Sequence, residues 1–169
     1  MYLTRNYLQI APRRHIHAFL LGCVQPDKNP ATYLKGSLRC KWLRGHNWNN
    51  ASRYMARLSR RLERRKKLRL LDFYSLGKLI HYTVDAFTGA HNEHFPSQLQ
   101  QHRQYEERLQ SYFLEYLKRK ESTTAPTTGK VMDAIRAYHK EYCAMPTSIH
   151  NDSKYCLLVS SLIVCTLVA

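Results

Sequence analysis

Residues 72–106 read DFYSLGKLIHYTVDAFTGAHNEHFPSQLQQHRQYE, and this stretch decides the fold class that the chain predicts. Its first apolar side chains recur at the 3.6-residue spacing of one helix face: Phe73, Leu76, Leu79 and Ile80. The spacing predicts a helix over 72–88, with Asp72 as its N-cap and Gly89 as the residue that ends it. The stretch therefore begins with a helix that buries one face.

The chain on either side of that helix is also predicted to be helical. Ser97 and Gln100 have the spacing of a capping box, which predicts a helix to about residue 120. Pro26 disfavours a helical residue before it, so Asp27 is expected just beyond a helix end. Further helical segments are predicted at 15–24, 52–69, 129–143 and from about 152 onward. No alternating strand pattern occurs, so the predicted fold class is all-α, a compact multi-helix bundle.

The whole chain, residues 1–169, is predicted to form a single domain. Residues 121–128 read ESTTAPTT, without apolar periodicity, and predict a linker before C-terminal helices over 129–169. Because 44% of the residues are hydrophobic, the chain can bury a core, which excludes a wholly disordered basic tail. Only 6 glycines and 6 prolines exclude a β-sandwich with frequent turns.

The charge balance predicts an anionic partner. The chain has 27 Lys and Arg against 12 Asp and Glu, a net charge of +15, which suits a phosphate backbone, an anionic membrane or a phosphorylated substrate. The segment Arg53–Arg69 concentrates this charge, with nine basic residues and one acidic residue. It is a solvated helix face, a contact for an anionic membrane, or a contact for nucleic acid. Tyr54 is the only aromatic residue there, so base stacking has little support.

Cysteine usage and the two termini bear on the compartment. The five cysteines contain no CxxC pair, which predicts reduced structural thiols rather than a disulfide framework. The N-terminus lacks the apolar core of a signal peptide, so a cytoplasmic protein is expected. The uncharged tail Tyr155–Ala169 is shorter than the about 20 residues of a membrane span, which favours a core helix. Packing, dimerisation and membrane contact all stay open for this tail.

The chain carries 9 histidines, and several combine with carboxylates at the spacing of metal ligands. His81 and Asp85 share one helix face at i,i+4. His102 and Glu106 repeat that spacing on the next helix, and His91 lies in the turn between the two pairs. Imidazole with carboxylate is a ligand set that Zn²⁺ accepts where thiolates are absent. Two facing helix pairs could hold two ions, the arrangement used for phosphoester hydrolysis.

Two residues upstream could complete the first of these sites. Asp27 follows Pro26 and His46 follows Gly45, so both are expected in loops. The alternative is that such His–Asp pairs are surface ion pairs or hydrogen-bonded core histidines, and spacing alone leaves the two interpretations evenly balanced. His94 has no second ligand at helical spacing and is interpreted as a supporting or surface residue.

At these residues the chain resembles the zinc-dependent phospholipase C family, which is related to the S1/P1 nucleases. The resemblance covers about residues 15–120, and the ligand types follow the family's order: Asp, His, HxxxDxxxxxH and then HxxxE. It is carried by the segments FLLGCVQPD (19–27), YLKGSLR (33–39), RGHN (44–47) and LGKLIHYTVDAFTGAHNEHF (76–95). These segments are similar to a bacterial subgroup of the family.

The resemblance implies an all-α fold and a zinc centre, with three ions in the family and two expected here. One zinc would take Asp27, His46, His81 and Asp85. A second would take His91, His102 and Glu106. Asp85 would also bridge to the third ion. Asp27 would be the catalytic residue that orients or deprotonates the attacking water.

The amino terminus departs from the family's pattern. Secreted members take ligands for the third zinc from their terminal residue, a Trp, and from a nearby His, whereas this chain has Met1 and no His before His15. Three interpretations stay open. One of His15 and His17 is that ligand, or both simply flank the helix before the loop at Asp27, or the chain begins late and the upstream ligand segment is missing.

The implied activity is zinc-dependent hydrolysis of a phosphodiester. Phospholipase C-type cleavage would convert a phospholipid to diacylglycerol and a phosphorylated head group. An S1/P1-like nuclease would use the same zinc cluster. The alternative from a different class is a non-catalytic basic helical module that binds anionic lipid or nucleic acid through Arg53–Arg69.

Overall fold

A computed structural model describes residues 2–28, 48–91, 99–119 and 129–168. Within these ranges the chain forms α-helices and no strand, so the predicted all-α class is confirmed. The helices are α1 (Tyr2–Tyr7), α2 (Arg13–Lys28), α3 (Trp48–Glu63), α4 (Leu70–Ala86), α5 (Leu99–Arg119), α6 (Val131–Cys143) and α7 (Ile149–Val168). A 3₁₀ turn, Gly89–His91, follows α4. The predicted linker, residues 121–128, lies outside the described residues.

Helix α4 lies at the centre and packs against α2, α3 and α7. Its four predicted apolar positions are all buried: Phe73, Leu76, Leu79 and Ile80. Tyr155, Val159 and Ile163 of α7 are fully buried in the same core. Each such side chain contributes about 1.5–3 kcal/mol when it leaves water. The helix that carries His81 and Asp85 is therefore held by packing against three other helices.

Both predicted ends of α4 are wrong. The helix begins at Leu70, and Asp72 is not its N-cap but lies one turn inside, where its Oδ2 accepts a hydrogen bond from the Arg69 amide at 3.0 Å. The carboxylate reaches back to the start of the helix, as the acidic member of a capping box does. At the other end the α-helix stops at Ala86, and Gly89 begins the 3₁₀ turn instead of ending the helix.

The predicted loop at Asp27 is also wrong. Helix α2 continues through Pro26 and Asp27 to Lys28. A proline inside a helix removes one backbone hydrogen bond, but near the end of the helix it disrupts only the last turn. Pro26 is buried, so packing holds that turn in helical form. Asp27 is consequently presented by a helix rather than by a loop.

The C-terminal helix is apolar enough to raise the question of a membrane. By length and composition α7 could cross one, and it is the one helix within the described ranges that could. However, 61% of its most apolar window is buried inside the fold. That burial favours the predicted core helix.

Candidate metal centre

The approach of α2 to α4 sets the first half of the site. The two helices touch backbone to backbone at Gly22 and Gly77, where a Cβ atom would overlap the carbonyl oxygens of Tyr74 and Phe19 respectively. Only glycine permits this separation, because any side chain would push the helices apart. The last turn of α2, with Asp27, is thereby brought against His81.

His81 is oriented by α2. Its Nδ1 lies 2.9 Å from the carbonyl oxygen of Cys23, and since a carbonyl only accepts, Nδ1 must carry the proton. Its Nε2 therefore faces two carboxylates, at 3.2 Å from Asp85 Oδ2 and 3.4 Å from Asp27 Oδ1. A backbone carbonyl behind a metal-binding imidazole is a usual second partner, which fixes tautomer and ring direction. We call Asp27, His81 and Asp85 the first cluster.

The second cluster consists of His91, His102 and Glu106. His91 lies in the 3₁₀ turn, and the other two lie one turn apart on α5. Glu106 Oε1 is 3.0 Å from His102 Nε2 and 3.5 Å from His91 Nε2. Ligand atoms of all three residues lie within 4.8 Å of one another, which is close enough for one metal ion to bind all three.

Asp85 joins the two clusters. Its Oδ2 faces His81, and its Oδ1 lies 3.9 Å from His91 Nε2. One carboxylate thus has an oxygen directed at each cluster. The bridge from Asp85 to a third ion, which the resemblance implies, stays a prediction. The structure brings together six of the seven residues singled out from the sequence. The seventh, His46, lies outside the described residues, as does His94.

The electrostatics of the site are those of a cation pocket. Burial pulls the pKa of His81 down, but its hydrogen bond to Asp85 and the charges of Asp85 and Asp27 raise it above the usual value overall. Burial also lowers the pKa of His91, but its hydrogen bond to Glu106 and the charges of Asp85 and Glu106 raise it above the usual value overall. The hydrogen bond from His91 lowers the pKa of Glu106 despite partial burial. Three carboxylates therefore favour positive charge at the imidazole nitrogens, whether from protons or from metal ions.

The donor set fits zinc. Imidazole nitrogens and carboxylate oxygens are its ligands in sites without thiolate, and catalytic zinc sites keep a position open. The side chain of Asp27 is 62% exposed and that of Glu106 45%, so solvent reaches both clusters. By contrast, only 8% of the His81 side chain is exposed, so this imidazole lies at the buried side of the site.

Neither proposed histidine of α2 reaches the clusters. His15 and His17 lie on the same helix as Asp27, which places them about 18 and 15 Å from it along the helix axis. His15 instead packs edge-on against Phe73, with ring centroids 5.0 Å apart. A straight helix cannot bring its first turn to the site at its last turn. The alternative in which one of them is the third-zinc ligand is therefore wrong.

The supporting groups were not found from the sequence. Gly22 and Gly77 lie within apolar helical segments, where a glycine signals a close packing contact only once the partner helix is known. Nothing in the sequence indicates that the backbone carbonyl of Cys23 contacts His81. The sequence predicts Gly89 to end a helix, but in the structure its amide donates to Asp152 Oδ2 at 2.7 Å, from a residue 63 positions away in the chain.

A family model described as zinc dependent phospholipase C matches residues 2–149. The matched range is wider than the 15–120 expected from the motifs and includes all six residues of the two clusters. No curated protein matches the chain, and no solved structure does.

Proposed function

The chain belongs to the zinc-dependent phospholipase C family, and we propose that it hydrolyses a phospholipid to diacylglycerol and a phosphorylated head group. The observation that supports this proposal is the pair of His and carboxylate clusters joined by Asp85. Two neighbouring ions can hold a single phosphodiester group between them, which is the arrangement that this pair of clusters would supply. The family description and the geometry both support this proposal.

The proposed ligand sets follow the two clusters. The first ion would be held by Asp27, His81 and Asp85, with His46 as the fourth ligand expected from the sequence. The second would be held by His91, His102 and Glu106. Two ions per chain are proposed. A third stays a prediction, and neither histidine of α2, His15 or His17, lies close enough to the clusters to be its ligand.

Zinc supplies Lewis acidity at such a site: it neutralises charge on a phosphodiester and makes water more acidic. The protein's own part is to position and to accept protons. Asp27 is the most exposed of the six side chains, and its carboxylate can orient a water and take up its proton. Water then adds to phosphorus and the bond to the glycerol oxygen breaks, with a proton going to that oxygen.

The test compares two substrates on the zinc-loaded chain. Head-group release from mixed micelles of phospholipid and detergent is measured beside degradation of single-stranded DNA. We expect head-group release, and we expect Asp27→Asn to lose most of it. The matched control is Glu115→Gln, which removes an exposed carboxylate paired with Lys118, about 14 Å from Glu106 along α5. DNA degradation without head-group release would assign the site to a nuclease instead.

We also propose that the basic face of α3 contacts an anionic membrane. Arg53, Arg57 and Arg60 are exposed and, with Arg136 of α6, line an open groove beside Trp48. Arg136 forms an ion pair with Asp133, whereas the three arginines of α3 form none with any residue in the described ranges. Guanidinium groups gathered on one face suit the phosphates of a lipid surface, at about 1 kcal/mol each.

Vesicle binding tests this contact. The triple change Arg53→Gln, Arg57→Gln and Arg60→Gln should weaken binding to vesicles rich in phosphatidylserine by about a hundredfold at low salt. The matched control removes the same charge from α5 with Arg103→Gln, Arg108→Gln and Arg119→Gln. Equal weakening by both triples would mean that net charge alone drives binding. Binding of DNA in preference to vesicles would assign the face to nucleic acid.

A further inference from the structure

Asp152 is a fully buried carboxylate in the first turn of α7, and it is 0% exposed. It lies beyond residue 149, where the family match ends. A buried carboxylate is costly unless hydrogen bonds replace the lost water. Asp152 has such bonds from three separate elements of the fold.

Two of these bonds converge on a single oxygen. Oδ2 accepts from the Gly89 amide at 2.7 Å and from the Tyr105 hydroxyl at 2.7 Å. Gly89 begins the 3₁₀ turn that ends at His91. Tyr105 lies on α5 between His102 and Glu106. One oxygen atom therefore ties together the two elements that carry the second cluster.

The turn and the helix also approach each other closely at this point. A Cβ atom on Gly89 would lie 2.7 Å from the Tyr105 hydroxyl, which is nearer than real Cβ contacts allow. The turn therefore passes directly over the hydroxyl that Asp152 binds. The third bond differs, because Oδ1 accepts from Tyr142 at 2.8 Å and Tyr142 lies on α6, which carries no cluster residue.

We propose that Asp152 is a positioning residue for the second cluster, fixing the 3₁₀ turn with His91 against the α5 segment with His102 and Glu106. Its own carboxylate is taken up by hydrogen-bond donors and does not hold the ion. The inference rests on the proposed function, since it assumes that the second cluster binds zinc. It adds that the metal affinity of that cluster depends on α7, which contributes no ligand.

Two tyrosine hydroxyls donate to the Asp152 carboxylate. Removing each hydroxyl in turn separates a positioning role for the second cluster from a role in stability alone. Tyr105→Phe removes the bond that reaches the cluster, and Tyr142→Phe removes the one that does not. The metal-free full chain of each variant is titrated with zinc against a chromophoric chelator, and chemical unfolding of the metal-free chain gives its stability. Both substitutions keep the aromatic ring, so both variants should fold.

For Tyr105→Phe we expect one of the two zinc-binding steps to weaken about tenfold, as for loss of a group behind a metal ligand. We expect Tyr142→Phe to lose comparable stability while both zinc steps stay as in the unchanged chain. Asp152→Asn should weaken the same single step as Tyr105→Phe. Equal zinc affinities in the two tyrosine variants would overturn the positioning role alone. An unchanged chain that takes up no zinc would overturn the proposed metal centre as well.

Discussion

The two clusters contain the same kinds of side chains, but they are assembled by different forces. The first cluster lies on two helices in backbone contact at Gly22 and Gly77, and its imidazole is aligned by a carbonyl of the neighbouring helix. The second lies on a short turn and on a separate helix, and a buried carboxylate of α7 accepts hydrogen bonds from both. Packing positions one half of the site, and long-range hydrogen bonds position the other.

This difference predicts that the two ions can be lost separately. His81→Ala should remove the ion of the first cluster and His102→Ala that of the second, each leaving about one zinc per chain. Either change should lower turnover by more than a hundredfold, because even groups behind a metal ligand cost about 10- to 100-fold. Zinc content and head-group release measure the two effects.

His150→Ala is the matched control, because His150 is exposed and hydrogen-bonds to Tyr112, away from both clusters. It should keep both ions and its turnover. Loss of both ions together in His81→Ala and in His102→Ala would mean that the clusters form one cooperative site, with Asp85 coupling them. Normal turnover in either variant would contradict the metal centre.

The packing of the first cluster predicts a loss of stability at Gly77. In Gly77→Ala the new Cβ meets the rigid backbone of α2, so the free energy of unfolding should fall by about 3 kcal/mol, the upper part of the range for overpacking. In Gly89→Ala the nearest atoms are the Thr147 methyl and the Tyr105 hydroxyl, which are side-chain atoms and can move. A smaller loss is expected there, together with weaker zinc binding in the second cluster.

Urea unfolding of the metal-free chain measures both glycine variants. A greater loss of unfolding free energy in Gly89→Ala than in Gly77→Ala would contradict the view that packing positions the first cluster and hydrogen bonds position the second.

A buried histidine outside both clusters predicts the acid sensitivity of the fold. His139 stacks on Trp48 at 3.8 Å between ring centroids, and burial lowers its pKa to about 4. Because the folded pKa is below the unfolded value of about 6.5, its contribution to stability is present above pH 6.5 and is lost as pH falls towards 4. His81 and His91 have raised pKa values and act in the opposite direction, favouring the metal-free fold at low pH.

Comparison with His139→Gln isolates this effect. Between pH 7 and pH 5 the unchanged chain should lose about 2 kcal/mol more unfolding free energy than the variant. Urea unfolding of both metal-free chains at the two pH values gives the difference. Parallel changes in the two chains would show that His139 is not the source of acid sensitivity.

The sequence predicts the side chains of the clusters better than their supports. The i,i+4 pairs His81 with Asp85 and His102 with Glu106 follow directly from helical periodicity, and that periodicity also gave the buried face of α4. The loop expected at Asp27 was wrong because burial of Pro26 outweighs the local preference of a proline. Local rules describe a segment by itself, and tertiary packing overrides them.

The connections between distant segments had no such signal. Asp152 is separated from Gly89 by 63 residues and from Tyr105 by 47, and nothing in the spacing of these residues links them. An aspartate at the start of an apolar helix is expected to cap that helix or face solvent. Its burial and its three donors become apparent only when α5, α6 and α7 are placed together.

The metal content of the chain shows whether the two joined clusters hold two metal ions. The full chain is purified without chelator and without a metal-affinity tag, and its zinc per chain is measured by elemental mass spectrometry. We expect two zinc ions per chain in the unchanged protein. A folded chain that contains no zinc and takes up none on titration would contradict the two-ion centre.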